Sequence, residues 1–165
     1  MIPWSQRPSE ERALLNPSFC SVVLWHAAAG YTTAANAPLP FEVAFLVLPV
    51  VLHRETRESL PHAVSTSLAV WLDEHPLVRV RIAERARTLL AFTREGLMFG
   101  GLHGLLHLAD SAVAADGARK KAVAAVLKTS SDEVRACAKR AEFTGRWFAK
   151  AGTPSTVMAL MGVRP

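Results

Sequence analysis

Apolar residues recur along most of the chain at steps of three and four, and the polar interruptions between them carry helix-capping side chains. That pattern predicts a succession of helices. Ser9 followed by Glu10 and Glu11 reads as one helix start, with the acids at the positive end of the dipole. Asn16-Pro17 reads as the next: a capping amide stands before a proline suited to the first turn. Phe19, Val22, Val23 and His26 follow at helical spacing, with Gly30 as the expected stop. Ala37-Pro38-Leu39-Pro40 is expected to be a rigid, extended connector. Phe41 to His53 reads as a buried helix that begins near Pro40 and is strained at Pro49, because a proline inside the run argues against a central strand. Ser65-Thr66-Ser67 starts another helix, which Pro76 interrupts. Val78, Ile82, Ala83, Ala86, Leu89 and Leu90 then form one apolar face, with Arg79, Arg81, Arg85 and Arg87 largely off it. Thr93 is the expected cap of the helix after that.

From Leu105 the period changes. Leu106, Leu108 and Ala112 alternate with polar residues, and Asp116-Gly117 is the expected hairpin turn. Arg119-Lys120-Lys121 and an Ala/Val stretch through Leu127 follow. A helix should start near Ser130-Ser131, with Asp132 and Glu133 in its first turn, and end near Gly152. Thr153-Pro154 then opens a last helix and Gly162 closes it. The expected fold is mainly α, a single compact domain over residues 1–165 with a small β-hairpin, winged-helix-like in arrangement.

Composition fits this picture. At 165 residues with 50% apolar and 20% charged side chains, the chain has the make-up of one folded domain and not of a disordered one. The two cysteines, Cys20 and Cys137, are far apart, which argues against a zinc site or a disulfide framework and fits a reducing cytoplasm. No basic segment followed by an apolar core stands near Met1, so no leader peptide is expected. The run from Phe41 to Leu52 is too short to span a bilayer.

Charge is unevenly divided. Residues 1–76 hold 4 Lys/Arg against 7 Asp/Glu, whereas residues 77–165 hold 15 against 7. The basic half suits either an acidic partner or nucleic acid, with Arg119, Lys120 and Lys121 at the end of the expected hairpin as the phosphate-contact candidates. A solvated basic surface has the same signature.

Gly96, Gly100 and Gly104 stand at four-residue steps, with Gly101 beside them. Each interior glycine costs about 0.5–1 kcal/mol relative to alanine, so the ladder implies a groove in which another backbone approaches closely. The approaching helix belongs either to the chain's own core or to a partner. Trp147, Phe148, Val157, Met158, Leu160 and Met161 keep the sequence apolar nearly to Arg164, again suiting core packing or a partner surface.

Candidate chemistry is sparse. His103 and His107 have the spacing of metal ligands one helical turn apart, with Asp110 or His26 as a third donor, which would make a metal-dependent enzyme. The glutamate of a metalloprotease helix is missing, since Gly104 follows His103. Neither cysteine has a nucleophile's signature around it, and no phosphate-binding lysine loop or dinucleotide fingerprint occurs. No catalytic site and no cofactor are expected.

The segments Arg7 to Leu24, Leu39 to Pro61, Thr93 to Leu106 and Ala141 to Pro165 (AEFTGRWFAKAGTPSTVMALMGVRP) resemble the middle-component family of bacterial three-component ABC-ATPase systems. The likeness runs from Arg7 to Pro165. It implies a non-catalytic adaptor in a system of biological conflict, placed between an SMC-like ABC ATPase and an effector component, both separate polypeptides. The alternating charges of His53 to Glu58 fall inside it, so Arg54 and Arg57 join Gly96, Gly100, Gly104, Trp147, Phe148 and Arg164 as candidate partner contacts. A winged-helix nucleic-acid-binding protein is the alternative.

Overall fold

The computed structural model describes residues 6–9, 12 and 15–163. In chain order its elements are α1 (Pro17–Ala35), β1 (Leu39–Pro40), α2 (Phe41–Val51), α3 (Arg54–Ser59), α4 (Leu68–Glu74), α5 (Pro76–Thr88), α6 (Leu90–Leu102), β2 (Leu106–Ala109), β3 (Ala112–Ala115), α7 (Lys120–Thr129), α8 (Asp132–Lys150) and α9 (Pro154–Leu160). The mainly helical architecture with a small hairpin matches the sequence pattern. The helix start at Ser9-Glu10-Glu11 lies largely outside the described residues, as does Arg164.

Capping chemistry places the helices. The Asn16 side chain accepts from Ser18 N–H at 2.8 Å, Ser67 from Val70 N–H, Ser131 from Val134 N–H and Thr153 from Thr156 N–H. Each satisfies a donor that the first turn leaves without a helical partner. Gly162, at φ 71°, closes α9 with the paired bonds Val163 N–H to Met158 C=O and Gly162 N–H to Ala159 C=O.

The longest helices, α1 and α8, cross with almost nothing between their backbones. A Cβ on Gly30 would stand 2.1 Å from the Glu142 carbonyl oxygen, and one on Gly145 only 2.0 Å from that of Ala27. Gly30 is therefore no stop. It lies inside α1, which runs on to Asn36, whose left-handed backbone (φ 53°) ends the helix. Gly96 brings α6 against another side of α1, where a Cβ would lie 2.9 Å from Cys20 Cβ. Around this axis α2 buries Val43, Leu46, Val47, Leu48, Val50 and Val51 in spite of Pro49.

Trp25, Trp71 and Trp147 close the core at its edges. Trp147 meets Trp71 edge-to-face, with ring centroids 5.3 Å apart. Trp147 donates to Thr66 C=O, Trp71 to Ser59 C=O at the end of α3 and Trp25 to Asp116 C=O, so each of these indole N–H groups finds a backbone carbonyl.

The sheet has the order β1-β3-β2 and is antiparallel throughout. Its third strand, β1, comes from the connector expected to be merely extended: Leu39 pairs with Val113 and Pro40 with Ala112. The hairpin turn is not Asp116-Gly117. It is Asp110-Ser111, both at positive φ (49° and 59°), the backbone of a two-residue hairpin loop whose twist suits the strands. Asp116 instead accepts from Ala118 N–H to start a short turn, Gly117–Arg119, that leads into α7.

Two further sequence readings give way. Thr93 caps nothing: α6 already begins at Leu90, and the buried Thr93 hydroxyl donates to Leu89 C=O. The His103-x3-His107 pair does not share a helix face, because Gly104 at φ 63° ends α6 with the bonds Leu105 N–H to Gly100 C=O and Gly104 N–H to Gly101 C=O. His103 stays at the helix end and His107 moves onto β2.

Candidate interaction surface

The side chains best able to do chemistry are committed to holding the fold. Arg57, 3% exposed, donates to Val51 C=O at 2.8 Å and to Cys137 Sγ at 3.3 Å, and pairs with Glu133. One guanidinium thus covers the carbonyl end of α2 and ties it to α8. Next to it, Thr56 meets His53 Nδ1 at 3.0 Å and accepts from Arg85 Nη2 at 2.9 Å. Burial, and then the charge of Arg85, pull the His53 pKa below its ordinary value. Arg7 pairs with Glu95 on α6 and lies over the Phe92 ring. Arg54 forms the exposed i,i+4 pair with Glu58 that its spacing suggests.

Neither thiol is disposed to react. Burial, reinforced by the Glu95 charge, pushes the Cys20 thiol up to about 12. Cys137 is raised as well, by burial first and by Glu133, with Arg57 opposing. Both therefore stay protonated at neutral pH, the unreactive form. His103 stacks on Phe99 with centroids 3.9 Å apart, while His107 lies 3.9 Å from Asp116. Among the described residues no group of three or more metal-ligating side chains comes together.

The other singled-out residues divide between core and surface. Trp147 and Phe148 are buried among their own neighbours, as are Gly96 and Gly100, the latter with Leu106 against it. The glycine ladder is thus one crossing with α1, one seat for β2 and one left-handed helix end. Arg119, Lys120 and Lys121 are exposed, and Arg119 Nε donates to Gly104 C=O at 3.2 Å.

The surface features that sequence reading missed are apolar. Leu90, Met98 and Leu102 lie exposed along α6, and Leu108 of β2 leans onto the same end of that helix at Gly101. The signal was available: residues two positions from Gly96 and Gly100 face about 200° away from a packed glycine stripe. Val70, Leu77 and Val80 are exposed on α4 and α5. An opening of about 760 Å³ separates α2, α5, α6 and α9, with Phe41, Phe45, Leu90 and Met158 among its walls and Arg87, Arg94 and Glu42 at its polar margin.

No described helix is long and apolar enough to cross a membrane. No curated protein and no solved structure matches the chain. A family model does: residues 4–165 match the model described as ABC-three component (ABC-3C) system Middle Component 3. Because the match covers nearly the whole sequence, this chain belongs to that middle-component family of ABC-three component systems.

Proposed function

We propose that this chain is a non-catalytic adaptor of a bacterial defence system, a cytoplasmic subunit acting as one domain over residues 1–165 that links an SMC-like ABC ATPase to an effector. Family membership supports a place within such a system. The observation that carries the adaptor reading is the use of side chains: Arg7, Arg57, Cys20 and Cys137 are buried in structural roles, while apolar groups on α2 and α6 stand open around the 760 Å³ groove. That groove suits an apolar segment of a partner subunit bearing acidic side chains, because Arg87 and Arg94 outnumber Glu42 at its margin.

Co-expression of the chain with an SMC-like ABC ATPase of the same system, followed by pull-down, tests the reading. The wild type should form a complex at moderate salt, and the double variant Arg87→Glu/Arg94→Glu should release it while keeping its helical circular dichroism. Absence of any complex with the wild type refutes the adaptor role. Full retention by the double variant refutes the groove.

A second reading rests on Arg119, Lys120 and Lys121, consecutive exposed cations with no carboxylate paired to them among the described residues. DNA binding through them should weaken steeply with salt, and Lys120→Gln/Lys121→Gln should lower the slope of log affinity against log salt by roughly one per lost phosphate contact. Binding that is absent, or indifferent to salt, removes it.

A further inference from the structure

Leu90, Arg94, Met98 and Leu102 stand at four-residue steps along α6, and all four are exposed. Side chains so spaced form one inclined ridge on a helix surface, here about 18 Å long. Leu90 and Arg94 wall the groove of about 760 Å³. Met98, 63% exposed, and Leu102, 82% exposed, carry the apolar surface beyond it. Gly101 adds no side chain there, and Leu108 of β2 reaches within 3.5 Å of where its Cβ would be. Groove and ridge are therefore continuous.

We infer that this surface seats an amphipathic helix of the ATPase, about three to four turns long, with acidic side chains along the flank that faces α5 and α6. The inference rests on the adaptor reading of the groove. An extended segment has no strand edge to join, because Leu106 of β2 is 2% exposed, Leu39 of β1 is fully buried and Pro40 has no N–H to donate. A ridge at four-residue steps fits instead between two such rows on another helix. Charge complementarity places the acids. Arg87 and Arg94 make no ion pair among the described residues, and Glu95, next to Arg94, is held by Arg7. The acid of the groove's margin, Glu42, belongs to the α2 wall. A helix laid between these walls is therefore most stable with its carboxylates turned to the two arginines and away from Glu42.

Titration of the purified full chain with the SMC-like ABC ATPase of the same system, followed by calorimetry, tests it. Met98→Glu and Leu102→Glu alter side chains already in solvent, so both should keep the wild-type circular dichroism. Each should weaken binding about tenfold or more, through lost apolar contact and repulsion from the partner's acids. Val126→Glu, an equally exposed site on α7, should bind as the wild type does. Hydrogen exchange in the complex should protect one ATPase segment with apolar residues at helical spacing and Asp or Glu along one side. Loss of binding in Arg87→Glu/Arg94→Glu with full retention in Met98→Glu and Leu102→Glu overturns the helix seat and leaves the adaptor role standing. Protection of a basic or extended segment also overturns it, as does an equal loss in Val126→Glu. A wild type that binds no ATPase removes the adaptor role and this inference together.

Discussion

Replacing Gly30 with alanine puts the α1–α8 crossing under direct test. The new methyl would lie 2.1 Å from the Glu142 carbonyl oxygen, whereas ordinary contact begins near 3.4 Å, so the two backbones must part by roughly 1.3 Å. Backbone cannot rotate out of the way as a side chain would. Overpacking against it therefore falls at the upper end of the usual range, about 3 kcal/mol. Alanine is the better helix former by about 1 kcal/mol, which leaves a net loss of about 2 kcal/mol. For a chain of 165 residues that corresponds to a Tm lower by roughly 4–8 °C. Thermal unfolding followed by circular dichroism reads it, with Gly117→Ala as the control, since nothing stands within 4 Å of a Cβ there. Gly145→Ala should act alike, and the double variant should lose less than the sum, because the gap opened for one methyl accommodates the other. A Gly30→Ala protein melting at or above the wild type refutes this account of the crossing.

Other outcomes follow from the buried polar groups. Arg57→Ala should lower the urea midpoint by an amount equivalent to about 2 kcal/mol, because Val51 C=O loses its guanidinium donor and keeps only the weak Cys137 thiol, while the exposed Glu133 rehydrates; an unchanged midpoint would count against the role given to the guanidinium. His26 has its pKa lowered by burial, opposed by Glu142, and its Nε2 has no described partner. The unfolded state then binds the proton more readily, so stability is full above about 6.5 and falls as pH drops through that value. His26→Leu should flatten that part of the stability curve, and an unaltered curve would exclude His26 as its source. Cys20 should resist Ellman's reagent at pH 8 in the native protein and react on unfolding; rapid native modification of Cys20 would contradict its burial.

What the sequence disclosed was what local chemistry decides. Asn16, Ser67, Ser131 and Thr153 cap because a short polar side chain at a helix start bonds its own neighbours, whatever the rest of the fold does. Gly30 was misread because a glycine serves equally to end a helix or to admit another backbone, and the backbone admitted belongs to Glu142, far along the chain. Thr93 looked like a cap, but its hydroxyl found a carbonyl one turn back. The pairing that makes β1 a strand depends on Val113, which the connector's own composition does not report. At the surface, charge drew attention to Arg57, which is buried, while Met98 and Leu102 passed unnoticed on the face opposite the glycine stripe.

That division between packed and open faces bears on the proposed adaptor role, which would require movement to be relayed through the fold. A side chain between two helices allows them to shift by changing rotamer, whereas a crossing of backbone on backbone has no such slack. At Gly30 and Gly145 the slack is gone between α1 and α8, and Gly96 narrows it between α1 and α6. Both the groove and the exposed stripe hang on helices that touch α1 directly, α2 and α6. A load applied at either therefore reaches the axis without passing through a loop. By contrast α7 gives the core only Val123 fully buried and Leu127 partly buried, so it is held to that axis less tightly than α2 or α6. A push from a partner is best received on α2 or α6, and a contact confined to α7 would reach the axis less directly.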